Sequence, residues 1–76
     1  MARLSPKDWN ALARIFEADG WTRQRTRGSH LQLVKPGTAR PLVIPMYPEV
    51  PVFIISGLLK TAGMTRERFF SLESRI

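Results

Sequence analysis

The apolar positions change period twice along the chain. Trp9, Leu12, Ala13 and Phe16 recur at i, i+3, i+4 and i+7, the single stripe of an amphipathic helix. Ser5-Pro6-Lys7-Asp8 before them predicts the helix start, with Ser5 as N-cap, Pro6 in the first helical position and Asp8 as the capping-box acid. Gly20 stands where a left-handed residue would close that helix. From Trp21 the period is two: Trp21-Thr22-Arg23-Gln24-Arg25 alternates, and Thr26-Arg27-Gly28-Ser29 predicts a turn. His30-Leu31-Gln32-Leu33-Val34 alternates again, with Leu31 and Leu33 on one face and His30, Gln32 and Val34 on the other. Lys35-Pro36-Gly37-Thr38 makes a second turn, and Pro41-Leu42-Val43-Ile44-Pro45 a short third strand with its prolines at the ends.

The prolines between Pro45 and Pro51 predict a stiff connector. Helical spacing returns at Ile55, Leu58, Leu59 and Ala62 and stops at Gly63, while the β-branched run Val52-Phe53-Ile54-Ile55 leaves the start of that helix open between helix and strand. Thr65 then caps a last helix whose Phe69 and Leu72 face inward. The order is α-β-β-β-α-α. It predicts an α+β fold, a three-stranded antiparallel sheet with helices on one face, as one domain over residues 1–76.

Composition narrows the functional classes. With 76 residues there is room for one small core and little room for an elaborate internal pocket. Zero cysteines exclude a disulfide framework, a zinc ribbon and a thiol enzyme, and they suit a reducing, cytoplasmic setting. A single His and scattered carboxylates argue against a metal site, and no metal or other cofactor is expected. No apolar run is long enough for a membrane span and no charged-then-apolar leader opens the chain, so no membrane partner is expected either.

The distribution of the net +6 charge says more than its size. Acids and bases cancel through residue 19 and nearly cancel after residue 48. Between Gly20 and Pro48 there is no acidic residue, and that stretch holds Arg23, Arg25, Arg27, Lys35 and Arg40. A one-signed block sets up a field that attracts polyanions, so a nucleic acid is the favoured partner and these residues, with Ser29 and Gln32, are its candidate contacts.

His30 is the candidate for acid–base work, because only imidazole has an unperturbed pKa near neutrality. It follows the turn residues Gly28 and Ser29, and alternation sets it on the face opposite Leu31 and Leu33 within the arginine-rich stretch. A base beside arginines and a phosphodiester suggests attack by the substrate's own ribose 2′-hydroxyl, which restricts the substrate to RNA. The leaving-group acid is open among Tyr47, Lys35 and water. A Ser29–His30 nucleophile pair is disfavoured: adjacent strand residues point to opposite faces, and no acid lies nearby in sequence to orient the ring. Trp9 and Trp21 are expected in the core.

Gly20-Trp21, Gly28-Ser29-His30, Ile44-Pro45 and Ala62-Gly63-Met64-Thr65 with Phe69 occur in the order and spacing of one family. The chain resembles the HicA (YcfA-like) toxins, small bacterial messenger-RNA interferases. The resemblance implies a double-stranded-RNA-binding-like fold, a catalytic His at His30 flanked by Gly28 and Ser29, and ribosome-independent, metal-free cleavage of messenger RNA. It also implies a HicB-like antitoxin that masks the active surface. Two positions depart from the family pattern. Tyr47 stands where many members carry a second His, and Phe53-Ile54-Ile55 where many carry Gly-Thr-Leu. The apolar bulk at Phe53 is expected to face a partner. Two other readings compete with an RNA-cleaving toxin: a module of the same fold that grips RNA without cutting it, and a subunit whose basic strands meet an acidic protein.

Overall fold

A computed structural model describes residues 3–76. It contains α1 (Trp9–Ala18), β1 (Thr22–Arg27), β2 (His30–Val34), β3 (Leu42–Pro45), α2 (Val52–Ala62) and α3 (Arg66–Glu73). The three strands form an antiparallel sheet in the order β1-β2-β3, so the α+β layout is the expected one.

The first helix begins later than the sequence predicts. Its N-cap is Asp8, whose Oδ2 accepts from the backbone N–H groups of Asn10 and Ala11 at 3.0 and 3.3 Å. Ser5 and Pro6 lie outside the helix because the next residue, Lys7, is held in extended pairing with Val50, each donating its N–H to the other's carbonyl (3.2 and 2.6 Å). A partner more than forty positions away therefore sets a boundary that local capping signals assign elsewhere. At the other end Gly20 takes φ 100°, the left-handed closure expected.

The first hairpin is also tighter than expected. Thr26 and Arg27 belong to β1, which leaves Gly28-Ser29 as the whole turn. Gly28 has φ 58° and Ser29 stays on the negative side, the pattern of a type II′ turn with glycine first. In the second turn Thr38 donates its N–H and its hydroxyl to the Lys35 carbonyl (3.2 and 2.6 Å), and Gly37 has φ 84° after Pro36. That is the type II arrangement, with proline before glycine.

The run from Val52 to Ile55 is helical, despite its β-branched content. Ile55, Leu58 and Leu59 are buried on the face of α2 that packs by β3, and that burial outweighs a modest propensity cost. Gly63 (φ 65°) ends the helix, with its N–H on the Lys60 carbonyl and the Met64 N–H on the Leu59 carbonyl at 2.9 Å, a Schellman closure. Thr65 Oγ1 then accepts from the Arg68 N–H at 3.1 Å and starts α3.

One buried cluster joins all six elements except β1. Leu12 and Phe16 from α1, Leu33 from β2, Leu42 and Ile44 from β3, Ile55 from α2 and Phe69 and Leu72 from α3 are fully enclosed. The Phe16 and Phe69 rings meet tilted at 6.2 Å. Burying each such side chain stabilises the fold by about 1.5–3 kcal/mol. Trp21 is buried as expected, its indole N–H without a partner, and Trp9 packs half-buried against the cluster. All the helices cover the side of the sheet that carries Leu31, Leu33, Leu42 and Ile44. The opposite side stays open.

Candidate nucleic-acid interface

Register decides which side chains share the open side. In β2 burial alternates, with Leu31 and Leu33 inward, so His30 and Gln32 stand on the uncovered face. Directly paired residues of an antiparallel ladder project to the same face. Arg27 pairs with His30 and Arg25 with Gln32 on one side; Pro45 pairs with His30 and Val43 with Gln32 on the other. Arg25, Arg27, His30 and Val43 are exposed, and among the described residues neither arginine has an ion-pair partner. The open face is therefore positively charged around a solvent-accessible imidazole.

Strict alternation would keep Arg23 and Arg25 together. A β-bulge between them changes the parity: Arg23 pairs with Leu33 and Arg25 with Gln32, so Gln24 is the extra residue. Arg23 consequently turns toward α1. Its Nε and Nη2 donate to Glu17 at 3.2 Å each, Nη2 also donates to Asn10 at 2.9 Å, and the guanidinium lies 5.9 Å from the Trp9 ring centre.

The other predicted contacts divide between the faces. Lys35 is drawn to the side of the sheet edge, where its Nζ meets Asp19 at 3.2 Å and lies 6.0 Å from the Trp21 ring centre. Asp19 also holds Arg68, whose Nη2 approaches to 3.0 Å, so one carboxylate ties the α1 end to α3 and to the second turn. Arg40 is exposed beside Pro41, Val43 and Thr61, along the edge of β3. Ser29 lies in the hairpin turn, and its carbonyl accepts the Met46 N–H at 2.7 Å. That bond brings the segment after β3 alongside the start of β2. Tyr47, 45% exposed, follows directly and lends its carbonyl to the Trp9 N–H at 3.1 Å. Gly28 has nothing within 4 Å of an added Cβ, so its positive φ, and not crowding, is what calls for glycine there.

Gln24 and Val43 share the open face but are not among the candidates that the sequence singles out. Gln24 reaches Gln32, whose Nε2 donates to its Oε1 at 2.7 Å. Alternation from the buried Trp21 sets Gln24 outward, and a search for charged residues passes it over.

The site is a surface. Hollows of about 400, 390 and 430 Å³ lie near Lys7, Gly63 and Leu58 respectively, and His30 lines none of them. Small-molecule sites are concave, whereas a flat basic face suits an extended polymer. Among the described residues no group of three His, Cys, Asp or Glu is placed to hold a metal ion, and no helix is long and apolar enough to cross a membrane.

No curated protein matches the chain. The family model described as the HicA toxin of bacterial toxin–antitoxin systems matches residues 9–64, a span that runs from the first residue of α1 to just past the end of α2 and includes the whole sheet. With its α-β-β-β-α-α layout and a match over most of its length, the chain belongs to the HicA toxin family.

Proposed function

We propose that this toxin is a ribosome-independent endoribonuclease that cuts messenger RNA on the open face of the sheet, with His30 as general base. The observation that supports this best is the cross-strand pairing of Arg27 with His30, with Arg25 one step further along the same face. A phosphodiester gripped by the two arginines brings its ribose to the imidazole. His30 accepts the proton of the 2′-hydroxyl, and the 2′-oxygen attacks the adjacent phosphorus. The P–O5′ bond breaks, leaving a 2′,3′-cyclic phosphate on one fragment and, once the departing oxygen is protonated, a 5′-hydroxyl on the other. Tyr47, two residues beyond the Pro45 that pairs with His30, or water supplies that proton. Lys35 is less suited, being engaged by Asp19. The chemistry uses two proton transfers and one phosphoryl shift, and requires no metal or other cofactor.

A toxin–antitoxin family implies an antitoxin. We assign that role to a HicB-like protein that covers the arginine-rich face in the cytoplasm. Phe53, 76% exposed on the first turn of α2, is suited to meet it.

Incubating a long RNA with purified protein in excess chelator, wild type beside His30→Ala, tests the reading. Fragments from wild type alone, with a loss of about 10²–10⁴-fold in the variant, are expected. Fragments from both would remove His30 from its role. RNA binding without cutting by either would identify a binding module, in which Tyr47 in place of a second His is the functional difference.

A further inference from the structure

The Gln24–Gln32 pair lies on the face just described and has no role in the cleavage chemistry. Beside Arg25, which can hold a phosphate without regard to sequence, the open face carries two uncharged amides joined at 2.7 Å. Gln32 follows His30 by two strand positions, about 7 Å along the same face, and is directly opposite Arg25. Gln24 comes to it from the bulge, where it stands outside the regular ladder. Bulges commonly re-aim side chains beside functional sites.

The mutual hydrogen bond uses one donor of Gln32 and one acceptor site of Gln24. It leaves the amine of Gln24 and the carbonyl of Gln32 available side by side, and exchanging nitrogen and oxygen in both amides gives the same pattern reversed. Each amide also holds the other in place, which lowers the entropy lost when a third group docks. A donor on one held amide and an acceptor on the other can meet the ring nitrogen and the amine of adenine, the atoms glutamine contacts in base recognition. Bases of single-stranded RNA are splayed and expose those edges.

We propose that Gln24 and Gln32 together read the base adjoining the scissile phosphate and prefer adenine. The inference rests on the RNA-cleaving reading above and adds its sequence preference. Cut sites on a random-sequence RNA, mapped through the new 5′-hydroxyl ends, should show adenine enriched at one position next to the cut. Gln24→Ala should flatten that enrichment by about 5- to 150-fold while total cutting persists, and the shape-conserving Gln32→Met should flatten it as well. A parallel arm with His30→Ala protein compares binding of oligoadenylate and oligouridylate, and the same two glutamine variants should abolish a preference for the former. Cutting with the adenine bias intact in both variants, or with no bias in wild type, overturns the base-reading role and leaves the nuclease standing. Absence of cutting with a glutamine-dependent adenine preference in binding overturns the nuclease and retains the readout. Equal binding of both oligomers, with no cutting, overturns both.

Discussion

Arg23 and Arg25, two positions apart on one strand, lie on opposite faces of the sheet, because the bulge at Gln24 reverses the parity between them. Arg23 faces α1 and is spent on Glu17 and Asn10; Arg25 faces solvent on the side of His30.

The two arginines should therefore fail differently when removed. Arg25→Ala is expected to weaken RNA binding and to reduce the log–log salt slope by about 0.7, the loss of one single-strand phosphate contact. Arg23→Ala should leave the slope unchanged and lower the unfolding free energy by up to about 1 kcal/mol, since the Glu17 pair remains partly solvated. Filter binding across a salt series, with denaturant unfolding of each variant, reads both effects. Identical slopes in the two variants would contradict the face assignment.

Gly28→Ala should destabilise the hairpin by about 1–2 kcal/mol, the cost of placing an L side chain at positive φ. The space around the position is open, so the penalty is conformational and not steric. Gly28→Asn should lose less, because asparagine tolerates the left-handed region better. Equilibrium unfolding of the pair checks this, and an alanine variant as stable as wild type would mean the turn relaxes to another type.

Gly57 sits in the middle of α2 with ordinary helical geometry and nothing within 4 Å of an added Cβ. Gly57→Ala should stabilise the free toxin by about 0.5–1 kcal/mol. Phe53, one helical turn before it, is so exposed that Phe53→Ala should hardly move the melting temperature. If the face is the one the antitoxin uses, both variants bind it more weakly by calorimetry; unchanged affinity in both would place the antitoxin elsewhere.

What sequence patterns reveal here depends on the range of the forces involved. The Pro36-Gly37 turn, the Gly63 closure and the Thr65 cap are local devices, and each occurs where its residues put it. Alternation in β2 was enough to set His30 on the uncovered side. The start of α1 was illegible because Lys7 answers to Val50 across the fold, and the helical state of Val52–Ile55 because packing against β3 overrides β-branched preference. In the candidate site, charge composition singled out a segment but could not divide it between the two faces. Whether an arginine or lysine faces the open side was settled by the bulge for Arg23 and by Asp19 for Lys35, neither of which leaves a mark in the neighbouring residues.

β1 is the outermost strand of an open sheet, and all six of its residues are exposed. An uncovered strand edge offers its free backbone groups to any other chain, and charge and bulges are the usual safeguards. β1 has both, in Arg25, Arg27 and the kink at Gln24. The guanidinium groups that would draw in RNA are thus also the kind of charge that opposes edge-to-edge pairing of two copies. Removing them by mutation exposes a template for sheet growth. A charge-stripped toxin should be recognised first by its loss of solubility, before its loss of affinity is ever measured.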